Sequence, residues 1–375
     1  SQFPDEVYQA SNYWIDPVFA ANTTTTQPTA SATATSKPET TPSATAQPSA
    51  TPTPTDSAVA TPTTKPTATA TTVPSSSTPS DGSAAAGLMG WELDAQNVGL
   101  APLGLSCYSL PLYTGSLTPA AGARISGVRI VGHLDLRNGD IVVERSCIQP
   151  AAGASANNST GALVSNFVCG RDSCPVISDK SVIIRDSEFD ATGVPASQIA
   201  AACAFRGAAT LQRNYMHGMG SGICFYGTGM KHDAIAEQNF VTNLRSYGES
   251  HNEAATVRDF MLDENPNRIA RFTNNRLDIA EGNVTAGLFI QSTGEDIDSL
   301  VVEGNLIEGG GYNLFLNQPS SGGKYSNVRA INNRFRSTGW GPSAVQGGPG
   351  WSVWTNNYRY DSSKVNAQGA VVTAN

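Results

Sequence analysis

The chain has 375 residues, a net charge of −8 and only 14% charged residues. From residue 88 onward it holds 25 acids against 21 bases, 17 of them arginine, so no basic stripe marks it for nucleic acid. No stretch approaches the ~20 apolar residues of a membrane span, and no membrane span is predicted.

Residues 1–21 (SQFPDEVYQASNYWIDPVFAA) are aromatic and strand-like. Their run ASNYWIDPVF is similar to the closing strand of a β-sandwich module found in secreted bacterial proteins beside carbohydrate-active domains. That likeness implies that 1–21 is the C-terminal remnant of an accessory domain. Residues 22–87 are almost entirely Thr, Ser, Ala and Pro. Such a segment cannot bury enough apolar surface to offset its ordering entropy, so it is expected to be an extended, solvated linker. It resembles the linkers of actinobacterial secreted polysaccharide-degrading enzymes. The chain starts at Ser1 without Met, so a fragment or mature form is expected.

The remaining residues, 88–375, are expected to form one domain, with 88–125 as a cap over the open N-terminal end. Six cysteines fall here: Cys107, Cys147, Cys169, Cys174, Cys203 and Cys224. An even count beside a Ser/Thr/Pro linker reads as disulfides in an oxidising compartment. The spacings leave the pairing open; the expectation is Cys169–Cys174 within one loop and Cys203–Cys224 on adjacent rungs, leaving Cys107–Cys147.

One frame then repeats. SVIIRDSEF, ATLQRNYM, AIAEQNFV, ARFTNNRL, LVVEGNLI, VRAINNRF and SVWTNNYR align on Ser187, Asn214, Asn239, Asn275, Asn305, Asn333 and Asn357, at intervals of 27, 25, 36, 30, 28 and 24 residues. Alternate residues are apolar, the mark of strands with one buried face. No single run could bury its face alone, but stacked copies make a continuous core. An Asn at the same turn of every rung can bond its neighbours above and below. A second strand follows each frame (AACAFR, GICFYG, EAATVR, GLFIQS, YNLFLN), giving at least two per coil. DIVVERSCI is an earlier rung, 41 residues before that of Ser187. Residues 340–360, with Trp340, Trp351 and Trp354, are expected to plug the far end. The last fifteen residues of the sequence carry little signal.

This pattern resembles a right-handed parallel β-helix of the pectate-lyase-like superfamily, over about residues 120–360. The fold class is therefore read as all-β, a single-stranded solenoid. Pectate lyases of this fold show Trp-Ile-Asp-His and Arg-x-Pro-x-x-Arg, and polygalacturonases show Asn-Thr-Asp, paired Asp, His-Gly and Arg-Ile-Lys. None stands in register here, so no specific enzyme family is matched.

Equal offsets from the frame become ladders in space. Three residues after it stand Asp190, His217, Thr242, Asp278, Glu308 and Arg336, polar throughout and so expected outward. In the second strand, Arg206, Arg258, Gln291 and Asn317 are expected outward, with Phe289 and Phe315 as exposed aromatics unless a loop covers them. Aromatics beside Arg and carboxylates suit a sugar-binding groove, and Arg matches carboxylate or sulfate bidentately. The longest interval carries NLRSYGESHNEA, which brings Tyr247, Glu249, His251 and Glu253 towards His217 and Asp278. His251-Asn252-Glu253 is similar to a His-x-Asp/Glu pattern found at outward strands of many secreted β-helix proteins.

Two chemistries fit. In β-elimination, Arg258 or Arg206 would neutralise a uronate, His251 would take the C5 proton and Tyr247 would serve the leaving oxygen. In hydrolysis, Glu253 with Asp278 or Asp190 would flank the bond. No cofactor is implied, although outward carboxylates could hold Ca2+ together with substrate. The expected protein is secreted or surface-associated and monomeric, with an extracellular polysaccharide as partner. It is read as a lyase ahead of a hydrolase, or else as a non-catalytic glycan-binding or adhesion module.

Overall fold

A computed structural model describes residues 87–153, 161–166, 180–226, 232–248, 250–258, 267–279, 285–320 and 322–374. The N-terminal remnant, the linker up to residue 86, Glu249 and the Cys169–Cys174 pair lie outside the described residues.

The domain is a parallel β-helix. Three sheets take one strand each from successive coils. The first sheet runs from Arg124–Ser126 to Val353–Thr355, the second from Arg129–Val131 to Tyr358–Tyr360, and the third from Leu134–Asp135 to Gly341–Gln346. What reads in sequence as one frame strand is two strands, bent at the frame residue. The residue before the frame takes the left-handed conformation in every coil, as in Asp186 (φ 51°), Arg213 (52°), Gln238 (54°), Asn274 (55°) and Gly304 (69°). That conformation costs a non-glycine residue about 1 kcal/mol.

A side-chain ladder holds these corners. Each Asn donates from Nδ2 to the Oδ1 of the next, from Asn214 to Asn357, at 2.9–3.0 Å. The same Nδ2 also reaches a carbonyl one coil back, such as Ile184 O or Leu211 O. Ser146 and Ser187 extend the ladder towards the N-terminus, since the Ser146 amide donates to Ser187 Oγ at 3.2 Å. Inside, Ile184, Leu211, Ala236, Phe272, Val302 and Ala330 stack in register three residues before the frame, all fully buried. Phe189, Met216, Val241, Leu277, Ile307 and Phe335 do the same two residues after it.

Residues 88–113 depart from the expected end cap. They run back along the outside of the second sheet as a strap. Gly90 N donates to Gly304 O, Gly99 N to Arg213 O, and Arg129 N to Pro111 O. Leu93 and Val98 pack with Phe240, and the strap is tied by Cys107–Cys147. Gly90 allows this approach, because a Cβ there would stand 2.3 Å from Asn275 O. The first coil is covered from Pro111 onward, where Leu112 pairs in parallel with Arg129 and Asp135 N donates to Leu117 O.

At the far end Trp351 and Trp354 pack against the core, but Trp340 is 66% exposed and plugs nothing. The tail closes the stack instead. Gln368–Val371 pairs antiparallel with Tyr358–Tyr360, and Val372 N caps Asn357 O.

Candidate functional site

The third sheet's outer face brings two arginines and an aromatic ring together. Its register aligns Arg206 with Cys224 and Thr256, and Tyr226 with Arg258, Gln291, Asn317 and Gln346. Apolar residues on the other side of each strand (Phe205, Ile223, Val257, Leu288, Ile290) enter the core, which turns these side chains outward. Both guanidiniums sit over the Tyr226 ring, Arg206 at 4.8 Å and Arg258 at 5.1 Å from its centroid. The Cys203–Cys224 disulfide clusters with Tyr226 behind them. One aromatic thus positions two cations from neighbouring coils.

Glu253 enters the same strand region. Its amide donates to Ser221 Oγ, while Asn252 is anchored through Nδ2 to Ala200 O and Gly220 O. Its carboxyl is buried, and Oε1 has no hydrogen-bond partner among the described residues. Burial pushes the Glu253 carboxyl up to about 7, against the opposing pull of the Arg258 charge. Such a group exchanges a proton near neutrality.

The other predicted residues divide between faces. His251 is exposed, with Nδ1 at 3.2 Å from Thr285 Oγ1, and Tyr247 is 64% exposed. Gln291 and Asn317 form an amide ladder that continues to Gln346, at 2.9 and 2.8 Å. Phe289 does not stand exposed as expected. It is 1% accessible and stacked on Phe315 at 5.0 Å, because neighbouring aromatics in one outward column cover each other.

His217, Asp190 and Asp278 lie on the second sheet, so they do not share the outer face of Glu253 and Arg258. There the polar groups are paired. His217 meets Glu188 Oε1 at 2.9 Å and stacks on Tyr215 at 4.3 Å. Asp190 accepts from Thr192 and Gln149, and Asp278 from Thr242. Burial opposes ionisation of Asp190, but these bonds and nearby His217 outweigh it and hold the carboxyl below its usual range. Glu308 is bridged by Arg276 and Arg336.

Among the described residues, one group of metal-ligand types comes together: Cys107, Glu188 and Asp190. Cys107 is committed to a disulfide and offers no thiolate. No described helix is long and apolar enough to cross a membrane. No family model, curated protein or solved structure matches this chain.

Tyr226 escaped the sequence reading, and Trp340 entered it only as part of the expected end plug. Tyr226 follows Phe225 in GICFYG, so strand alternation alone turns it outward once Phe225 is placed inward. Trp340 sits at a turn, where no alternation applies.

Proposed function

We propose that this is a secreted carbohydrate-active protein of the pectate-lyase-like kind, which binds an anionic extracellular polysaccharide along the outer face of the third sheet. The observation that carries this reading is the Arg206–Tyr226–Arg258 cluster beside a buried Glu253. Two guanidiniums ordered by one ring suit a planar carboxylate or sulfate. The two disulfides suit an oxidising compartment.

Cleavage by β-elimination ranks ahead of hydrolysis. An arginine pair would neutralise the uronate carboxylate and so acidify the C5 proton. Glu253, whose buried carboxyl is raised to about 7, or else His251 would take that proton as the C4–O bond breaks, with Tyr247 giving a proton to the leaving oxygen. Hydrolysis needs two carboxylates across one bond. Its expected partners Asp190 and Asp278 are on another sheet, which weighs against that route.

The test is an incubation of the full chain with uronate-bearing and neutral polysaccharides. Absorbance of a new unsaturated bond and release of reducing ends are followed in parallel. Both signals rising together support the lyase reading; reducing ends alone would replace it with hydrolysis. Binding without product at any pH would make this a glycan-binding or adhesion module.

A further inference from the structure

The outer face of the third sheet changes character along the stack. The coils of Cys203–Gly207, Ser221–Tyr226 and Ala255–Arg258 bring Arg206, Glu253 and Arg258. The next three strands bring no charge at all. Their outward columns read Ala286, Tyr312, Gly341, then Phe289, Phe315, Ala344, then Gln291, Asn317, Gln346. Aromatic and amide groups replace ionic ones.

The aromatics form a built support with one exposed ring. Phe289 stacks on Phe315, Tyr312 tilts against Phe315 at 5.4 Å, and Trp340 meets Tyr312 edge-on at 5.4 Å. Trp340 is held at its base by its amide, which donates to Gly311 O at 2.7 Å. Its six-membered ring lies against Gly311, where a Cβ would come within 2.4 Å of Cε3 and Cζ3. Backbone therefore covers part of the indole, while 66% of the residue stays exposed. The Gln291–Asn317–Gln346 ladder closes the other end of these strands, with Gln291 and Asn317 buried and bonded along the column.

We infer that Trp340, backed by Tyr312, is a second subsite that stacks a neutral pyranose ring of the same polymer. This rests on the polysaccharide reading above and extends it. An indole face suits the apolar C–H face of a sugar. A charged sugar ring would lose its hydration there with no counter-charge in those columns. Three strand steps separate Arg258 from the Gly341–Gln346 strand, about 14 Å at the ~4.8 Å spacing of paired strands. The substrate class is thus a mixed polymer, with an acidic sugar held by the arginines and neutral sugars running along the stack towards Trp340.

The experiment measures affinities of the full chain, by calorimetry, for glucuronoxylan, neutral xylo-oligosaccharides and short oligogalacturonates. Trp340→Ala and Trp340→Phe are compared with wild type. The expected result is an approximately tenfold loss for glucuronoxylan and xylo-oligosaccharides in Trp340→Ala. Trp340→Phe should retain most of that affinity, and oligogalacturonate binding should not change. Oligogalacturonate binding with no effect of Trp340→Ala on either xylan probe would overturn the subsite alone. Binding of none of the three would overturn it together with the polysaccharide reading. Sedimentation showing a dimer that Trp340→Ala dissolves would assign the exposed ring to a second copy of the chain, and would also overturn it.

Discussion

The outer faces of the second and third sheets both carry polar ladders, rich in carboxylates on the second and in arginine, amide and aromatic groups on the third. On the second sheet a strap lies along the coils, and each carboxylate meets a partner from its own or a neighbouring coil: Glu188 with His217, Asp190 with Gln149 and Thr192, Glu308 with Arg276 and Arg336. On the third sheet two arginines converge on Tyr226, and Glu253 keeps a buried oxygen without a hydrogen-bond partner among the described residues. A satisfied ladder is cement between coils. An unsatisfied buried carboxyl lowers stability, and such groups concentrate where chemistry or binding uses them.

The largest expected effect strikes the frame both faces share. Asn275→Ala removes its bonds to Ala236 O and Asn305 Oδ1, and leaves the Asn239 amide and Nδ2 without their acceptor. A loss of about 4 kcal/mol is expected by denaturant titration, since buried unpaired groups cost about 1–3 kcal/mol each. A similar loss, also about 4 kcal/mol, is expected when the 40-residue Cys107–Cys147 link is cut by paired serine substitutions. That change frees the strap on the second sheet and should leave third-sheet ligand affinity unaltered, which sharpens the contrast.

Next comes pH. The folded Glu253 carboxyl, raised to about 7 from 4.5, holds a proton that the unfolded chain has already released. Its stability contribution is therefore present in acid and falls as pH rises through that window, by about 3 kcal/mol. Glu253→Gln should flatten this fall; identical wild-type and variant profiles of unfolding free energy would refute the buried acid. Asp190 has the opposite sign. Its lowered carboxyl stabilises the fold at neutral pH and loses that contribution as pH drops through its folded value. Asp190→Asn should cost about 1–2 kcal/mol at pH 7 and less in acid, the smallest effect of the set.

Much of the solenoid was legible because its signals are periodic. The Asn frame and the flanking apolar positions follow from a repeat that every coil must obey, whereas the Cys107–Cys147 and Cys203–Cys224 pairs were expected among pairings that the spacings leave open. The bend inside each frame strand was hidden, since a left-handed corner at Arg213 or Gln238 carries no glycine to announce it. The strap was hidden too. Its contacts, such as Gly90 with Gly304, join residues far apart in sequence through backbone groups that any residue supplies. For the site, alternation placed Arg206, Arg258, Gln291 and Asn317 outward but not the covering of one aromatic by the next, so Phe289 was misread. Glu253 was drawn towards His217 because the long NLRSYGESHNEA interval was read as reaching that side, whereas His217 lies on the second sheet and Glu253 leads into a strand of the third.

The central claim is that the third sheet's face, and not the second's, holds the polymer. The most direct measurement compares uronate-polymer affinity in Arg258→Gln and His217→Ala, each checked for an intact fold by circular dichroism. A loss of tenfold or more in Arg258→Gln with wild-type affinity in His217→Ala is the predicted result. Loss in His217→Ala with Arg258→Gln unaffected would contradict it and move the site to the strapped face.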